Sequence, residues 1–165
     1  MTPQDQIMLH EPDKGRQGDC FRACLASILD MNIRAVPHFA AYPSDIWIEE
    51  LIRWLKVNGY ELNGTSDYTD ERVEAEHGID GYIIVAGESP RNKDVRHAVV
   101  YYGKKMVHDP HPSKAGIVKA EYYYRIEKLG AEFERNLKEE QAHETERRGN
   151  PNEQNFLKTQ INHNQ

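Results

Sequence analysis

Cysteine is scarce in this chain: two in 165 residues, both inside one short stretch, GRQGDCFRAC, at positions 15–24. Cys20 and Cys24 stand one helical turn apart, a poor geometry for bonding to each other, so a disulfide-stapled fold is excluded and both read as free thiols. A run of about 18 apolar residues is missing, and with it any membrane-spanning helix. Basic excess is missing too. The 21 Lys and Arg residues against 27 Asp and Glu leave a net charge of −6, the wrong sign for the footprint of a general nucleic-acid binder. Met1 to Leu9 contains no basic segment followed by an apolar one, so no secretory signal is read. Two reduced thiols then fit a cytoplasmic setting. No internal repeat is present.

What remains suffices for one modest core. Hydrophobic residues make up 38% of the chain and charged residues 29%, in a length typical of one domain. Residues 1–17 are polar, with Pro3, Pro12 and Gly15, and read as an irregular arm carrying a short strand near Gln6–Leu9. Asp19 reads as the N-cap of a first helix. Its Phe21, Cys24, Leu25, Ile28 and Leu29 recur at helical spacing and form one apolar face. Val36-Pro37-His38-Phe39 is a connector. Ser44 is expected to cap a second helix, residues 45–58, with Trp47, Ile48, Leu51, Ile52 and Leu55 buried. Residues 67–78 hold a short third helix, started by Thr69 or Asp70.

Strand patterns follow. GYIIVAG (81–87) reads as a buried strand between glycines. GESPRNKD (87–94) reads as a loop, its SPRNKD part a mobile lid by composition. VRHAVVYYGKKMVHDP (95–110) is a hairpin with Gly103 near its tip, and KAEYYYRIEKL (119–129) is another strand. From Gly130 the pattern turns helical and polar, with Phe133 and Leu137 its sizeable apolar residues, and the final Asn- and Gln-rich stretch reads as disordered. The expected organisation is therefore α+β: N-terminal helices packed on an antiparallel sheet over 1–129, a projecting C-terminal helix at 130–149, and a tail at 150–165.

Chemistry centres on the first helix. A thiol is a nucleophile only as thiolate, and free N–H groups at a helix start favour the anion. Cys20 lies in the first turn and Cys24 a turn deeper, inside the apolar pattern. Cys20 is therefore the candidate nucleophile, unless it simply packs as Cys24 does. Eight histidines are available as a base. Most sit in loops or the tail, but His97 leads the apolar strand HAVVYY, and Asp109 ends the strand across the hairpin. Register decides whether the two meet. With a three-residue loop, Tyr102-Gly103-Lys104, His97 lies opposite Asp109 and the two share a face. With a two-residue loop, Gly103-Lys104, they point to opposite faces. In the first register Asp109 orients the imidazole, as the acid of a nucleophile–base–acid triad does.

A helix-initiating GDCFRACLASIL, a later HAVV, and a strand ending in Asp-Pro together resemble the papain-like cysteine peptidase superfamily. They are most similar to the branch of bacteriocin-processing leader peptidases. VPHF, the tryptophan-bearing second helix and VHDPHPS are similar to segments of small papain-like proteins encoded by phages. The resemblance covers about residues 4–112. It implies a papain-like fold for 1–129 and thiol hydrolysis of a peptide or isopeptide bond without a cofactor. It also implies Cys20 as nucleophile, His97 as general base and acid, and Asp109 as orienting residue. The family's oxyanion-stabilising glutamine stands six residues before the cysteine, where this chain has Lys14. Gln6 is the favoured replacement and Gln17 the other, with the N–H of Cys20 as the second donor. The expected partner is a peptide or protein substrate, with no nucleic acid, membrane or metal. Two other readings compete: a catalytically silent papain-like module that grips a host protein, and a zinc site built from Cys20, Cys24, His97 and His108. The second conflicts with the C-x₃-C spacing on a helix, since structural zinc pairs favour turn-borne C-x₂-C.

Overall fold

The computed structural model describes residues 1–77 and 80–130, excluding the side chains of 64–66 and 75–77. The chain divides into two units, Met1–Glu127 and Lys128–Gln165, and the fold below is that of the first. The expected projecting helix and tail, residues 131–165, lie outside the described residues.

The architecture is α+β. A five-stranded antiparallel sheet runs in the order β1-β5-β2-β3-β4. Its strands are β1 (Tyr60–Asp67), β2 (Tyr82–Ser89), β3 (Asn92–Tyr102), β4 (Lys105–His108) and β5 (Ala120–Lys128). Helices α1 (Cys20–Ile28) and α2 (Trp47–Val57) precede the sheet, and α3 (Asp70–His77) lies between β1 and β2.

Period-two alternation in the strands separates two cores. On one side Ile84 and Ala86 of β2, Ala98 and Val100 of β3, and Tyr124 and Ile126 of β5 pack with Phe21, Cys24 and Leu25 of α1 and Leu51 and Leu55 of α2. On the other, Ile83, Val85, Val99 and Tyr123 pack with Val73 of α3. Strands buried on both faces read as continuous apolar runs, and for this reason IIVA was legible as a strand.

Several expectations are corrected. The N-terminal arm forms no strand at Gln6–Leu9; its backbone bonds go to scattered partners instead. Helix α2 starts at Trp47 rather than residue 45, and Ile46, not Ser44, precedes it without a side-chain cap. Residues 87–94 are neither a loop nor a lid: β2 runs through Ser89 and β3 starts at Asn92. The register from Glu88↔Arg96 to Ser89↔Asn92 leaves residues 93–95 bulged out of the ladder. Strand β1 was not anticipated at all.

The β3–β4 hairpin also differs. Tyr102 pairs with Lys105, so the loop is the two-residue Gly103-Lys104, with Gly103 at φ 57° as this tight turn requires. A bulge follows, because Tyr101 pairs with Met106 but Val100 pairs with His108. The extra residue, Val107, shifts the parity of everything beyond it by one. A two-residue loop alone would set His97 and Asp109 on opposite faces; loop plus bulge sets them on one.

Gly87 marks a further bulge, between β2 and β5. A Cβ there would sit 1.9 Å from the carbonyl oxygen of Lys119, so only glycine permits this approach. Among the described residues no helix is long and apolar enough to cross a membrane.

Candidate active site

Cys20 opens α1 and Asp19 immediately precedes it. Asp19 stands at the N-cap, yet its side chain caps nothing. Its fully buried carboxylate turns to the N-terminal arm, where Oδ1 accepts the N–H groups of Ile7 at 3.1 Å and Met8 at 2.8 Å. Its Oδ2 has no hydrogen bond and faces the guanidinium of Arg22 at 3.6 Å, which compensates the buried charge. The arm is stitched along its length. Gln4 N–H donates to Ser27 Oγ of α1 at 2.8 Å, the Gln4 carbonyl accepts from His108 Nε2 at 2.9 Å, and Gln6 N–H donates to the Pro110 carbonyl at 3.0 Å. Gln6 is thereby fixed between the segment before Cys20 and the segment after Asp109.

His97 and Asp109 meet directly. His97 Nε2 lies 2.7 Å from Asp109 Oδ1, and both side chains are buried. Asp109 also accepts the N–H groups of His111 at 2.8 Å and Gly116 at 2.7 Å. Four lone-pair sites are therefore largely filled and the carboxylate cannot swing. Burial pushes the Asp109 carboxyl up, but the bonds from His97, His111 and Gly116 outweigh it and hold it below its ordinary range. With Nε2 committed to Asp109, Nδ1 is the nitrogen of His97 left for proton transfer.

His97 also lines a cavity of about 1020 Å³. Cys20 and Gln6 line it, and Gln17 does so too. Residues Ala40 to Ser44 and several between Ser89 and Val95 also line it. Phe21, Trp47 and Tyr124 add an aromatic wall, with ring centroids 5.0 to 5.8 Å apart in edge-on arrangements. Lys14 is spent on Glu11 at 2.7 Å, in a surface turn. The Gln6 Nε2 donates one proton to the Met8 carbonyl at 2.8 Å, and its Oε1 has no partner. Among the described residues its second Nε2 proton meets no acceptor.

The electrostatics oppose the expectation of a resting thiolate. Burial pushes the Cys20 thiol up, and the Asp19 carboxylate adds to this; the N–H groups of Ala98 and Phe21 pull it down without prevailing. Burial likewise pulls His97 below the ordinary imidazole range despite Asp109. Both shifts favour the uncharged forms, a thiol and a neutral imidazole, over a thiolate–imidazolium pair. Cys24 is wholly buried in the core, its thiol pushed well up by burial.

Sequence reasoning missed the tether at Asp19, the role of His38 and the turn after Asp109. His38 Nε2 donates to the Gly18 carbonyl at 3.1 Å, bracing the backbone before Cys20. The Asp109-to-His111 bond is an Asx-turn, for which Asp-Pro-His-Pro was a legible signal. Among the described residues no group of three or more His, Cys, Asp or Glu side chains is placed to hold a metal ion. No protein-family model, curated protein or solved structure matches the chain.

Proposed function

We propose that the protein is a thiol hydrolase of papain-like type that cleaves a peptide or isopeptide bond through an acyl-enzyme on Cys20. The observation that carries this reading is the 2.7 Å contact from buried Asp109 to His97, which lines the same cavity as Cys20. A lone helix-start cysteine or a lone strand histidine has many uses; an imidazole oriented by a buried carboxylate and facing the same cavity as a half-buried thiol has few.

The reaction runs as follows. His97 Nδ1 takes the Cys20 proton as the sulfur adds to the amide carbonyl carbon. The carbonyl oxygen becomes an oxyanion, held by the N–H of Cys20 and the free Nε2 proton of Gln6. His97 returns the proton to the nitrogen as the C–N bond breaks, and the amine leaves. Water then attacks the thioester, giving its proton to His97; the acid departs and the thiol is restored. Asp109 keeps the proton-transfer nitrogen turned inward and stabilises the imidazolium while it exists.

The test is hydrolysis of an internally quenched peptide library at pH 7, followed by mass spectrometry of the trapped protein. Cleavage that disappears in Cys20→Ala, falls about 10²- to 10⁴-fold in His97→Ala, and leaves an acyl mass on Cys20 supports the reading. Cleavage retained in Cys20→Ala, or none of any peptide or isopeptide by the wild type, overturns it.

A further inference from the structure

Beside the triad lies a second polar array. Arg91, at the β2–β3 turn, donates from Nη1 to Ser113 Oγ at 2.9 Å. Ser113 Oγ lies 2.8 Å from His111 Nδ1, and the Ser113 N–H donates to that same nitrogen at 3.0 Å. A nitrogen that accepts an N–H carries no proton, so His111 holds its proton on Nε2 and presents it as a donor. Arg91 and His111 both line the cavity. The His111 ring stands edge-on to His97, centroids 6.0 Å apart.

Apart from the Arg91 bond to Ser113, these donors face no anionic partner among the described residues. Arg91 has no carboxylate partner among the described residues, and His111 Nε2 has none either. The other charges in the cavity wall are mostly engaged: Arg96 pairs with Glu121 at 2.7 Å, and Glu11 with Lys14 and Arg16. Asp94, exposed on the bulge, is a carboxylate there with no ion-pair partner among the described residues, and it opposes an anion. It sits on a bulge with its backbone N–H bonded to Asn92 Oδ1, whereas Arg91 is held at Ser113 next to His111. The array adjoins His97 through the edge-on contact of the His111 ring. His97 is the group that protonates the departing amine. The part of a substrate beyond the cleaved bond therefore leaves past this array.

We propose that Arg91 and His111 form a carboxylate-binding subsite on the leaving-group side of the cleft, so that the preferred substrate carries a carboxylate just after the cleaved bond. This rests on the hydrolase reading for its direction, not for the existence of the anion site. The carboxylate has two sources, an acidic side chain or a free chain terminus, and both offer the two oxygens that a guanidinium and an imidazole N–H can share.

Two measurements separate the possibilities. In the first, Cys20→Ala protein is titrated with N-acetyl-aspartate amide, N-acetyl-alanine and N-acetyl-alanine amide while histidine ring nitrogens are followed by NMR. A His111 shift with either carboxylate and not with the neutral amide, abolished in Arg91→Glu, supports the site; the compound that shifts it names the source. Equal response to all three, or none, overturns it whether or not the protein is a hydrolase. In the second, wild type and Arg91→Glu are compared on quenched peptides that differ only in having Asp or Ala after the cleaved bond, with blocked and free termini. A kcat/KM ratio of acidic to neutral peptide that falls about tenfold or more, as loss of one charge-assisted hydrogen bond implies, supports the assignment. An unchanged ratio overturns it. If no peptide is cleaved, the hydrolase reading fails alone, and the NMR titration still decides the anion site.

Discussion

The Asp19 carboxylate grips the backbone N–H of Met8 at 2.8 Å, and one residue later in the chain stands the candidate nucleophile. This contact joins the arm that carries Gln6 to the start of α1. It also sets a buried negative charge beside a thiol, which raises that thiol's pKa. Asp19→Ala is expected to act in two opposite ways. Losing two charge-assisted bonds costs stability, about 2 to 4 kcal/mol, and frees the arm; removing the charge makes the Cys20 thiol easier to ionise. Urea unfolding, amide exchange at Ile7 and Met8, and the alkylation rate of Cys20 measure the three effects. Slower alkylation in the variant would contradict the electrostatic account.

The two thiols should separate by access as well as by acidity. Cys24 is wholly buried whereas Cys20 is half-buried and lines the cavity. Iodoacetamide on the folded protein at pH 8 is expected to label Cys20 and spare Cys24, as peptide mapping would show. Because burial holds the Cys20 thiol above its ordinary range, labelling should be slow near pH 6 and should climb steadily past pH 8. A fast plateau at pH 6 would mean a resting thiolate–imidazolium pair instead.

Acid should unfold the protein in two stages. Burial holds His97, and to the same sign His111, below the ordinary 6.5, so on acidification the unfolded chain takes up these protons first and stability begins to fall as pH drops below about 6.5. Asp109 is held below its ordinary 3.8 by His97, His111 and Gly116 against the opposing effect of burial. The same sign applies, and a second loss starts near that value. Asp109→Asn shrinks the second stage, to which the lowered carboxyls of Glu11 and Asp30 also belong. It also deepens the first, since His97 then keeps its burial and loses the carboxylate that offsets it. Urea midpoints between pH 7.5 and pH 3 read both stages; stability that rises on acidification through pH 6 would refute the assignment of His97 as neutral and buried.

How much of this was legible follows from what each element buries. α1, β2 and β5 carry clear apolar periodicity and were readable as helix and strands. β1, YELNGTSD, is an edge strand whose Asn, Gly and Asp are poor strand formers; the Tyr60 and Leu62 that pack against the core are too few to signal a period. Residues 87–94 looked like a loop because the β2–β3 hairpin end is exposed, and an exposed hairpin carries the charge and turn residues of a loop. Cys20 was picked out by its place at a helix start, a local feature; His97 was read as leading its strand but lies in the middle of β3, because the exposed half of that strand, 92–96, lacks the apolar pattern, and Asp109 falls just after β4. How His97 and Asp109 come to share a face was not legible: the two-residue turn and the bulge at Val107 compensate each other, and bulges leave little trace in composition. The tether at Asp19 was hidden for a different reason, since capping preference and long-range bonding call for the same residue type.

Gln6 supplies the remaining test. Its Nε2 is anchored on the Met8 carbonyl at 2.8 Å and its backbone on the Pro110 carbonyl at 3.0 Å, so the side chain reaches the cavity from a fixed base. Removing the amide leaves the backbone bond intact, and the fold should tolerate it with a stability change of about 1 kcal/mol. If the free Nε2 proton serves the oxyanion, Gln6→Ala should lower kcat by about 10²- to 10³-fold with little change in KM, because the bond exists only in the transition state. Gln17→Ala, at an exposed position in the same cavity wall, provides the comparison on the same peptide. A larger kcat loss at position 17 than at position 6 would reassign the oxyanion donor to Gln17.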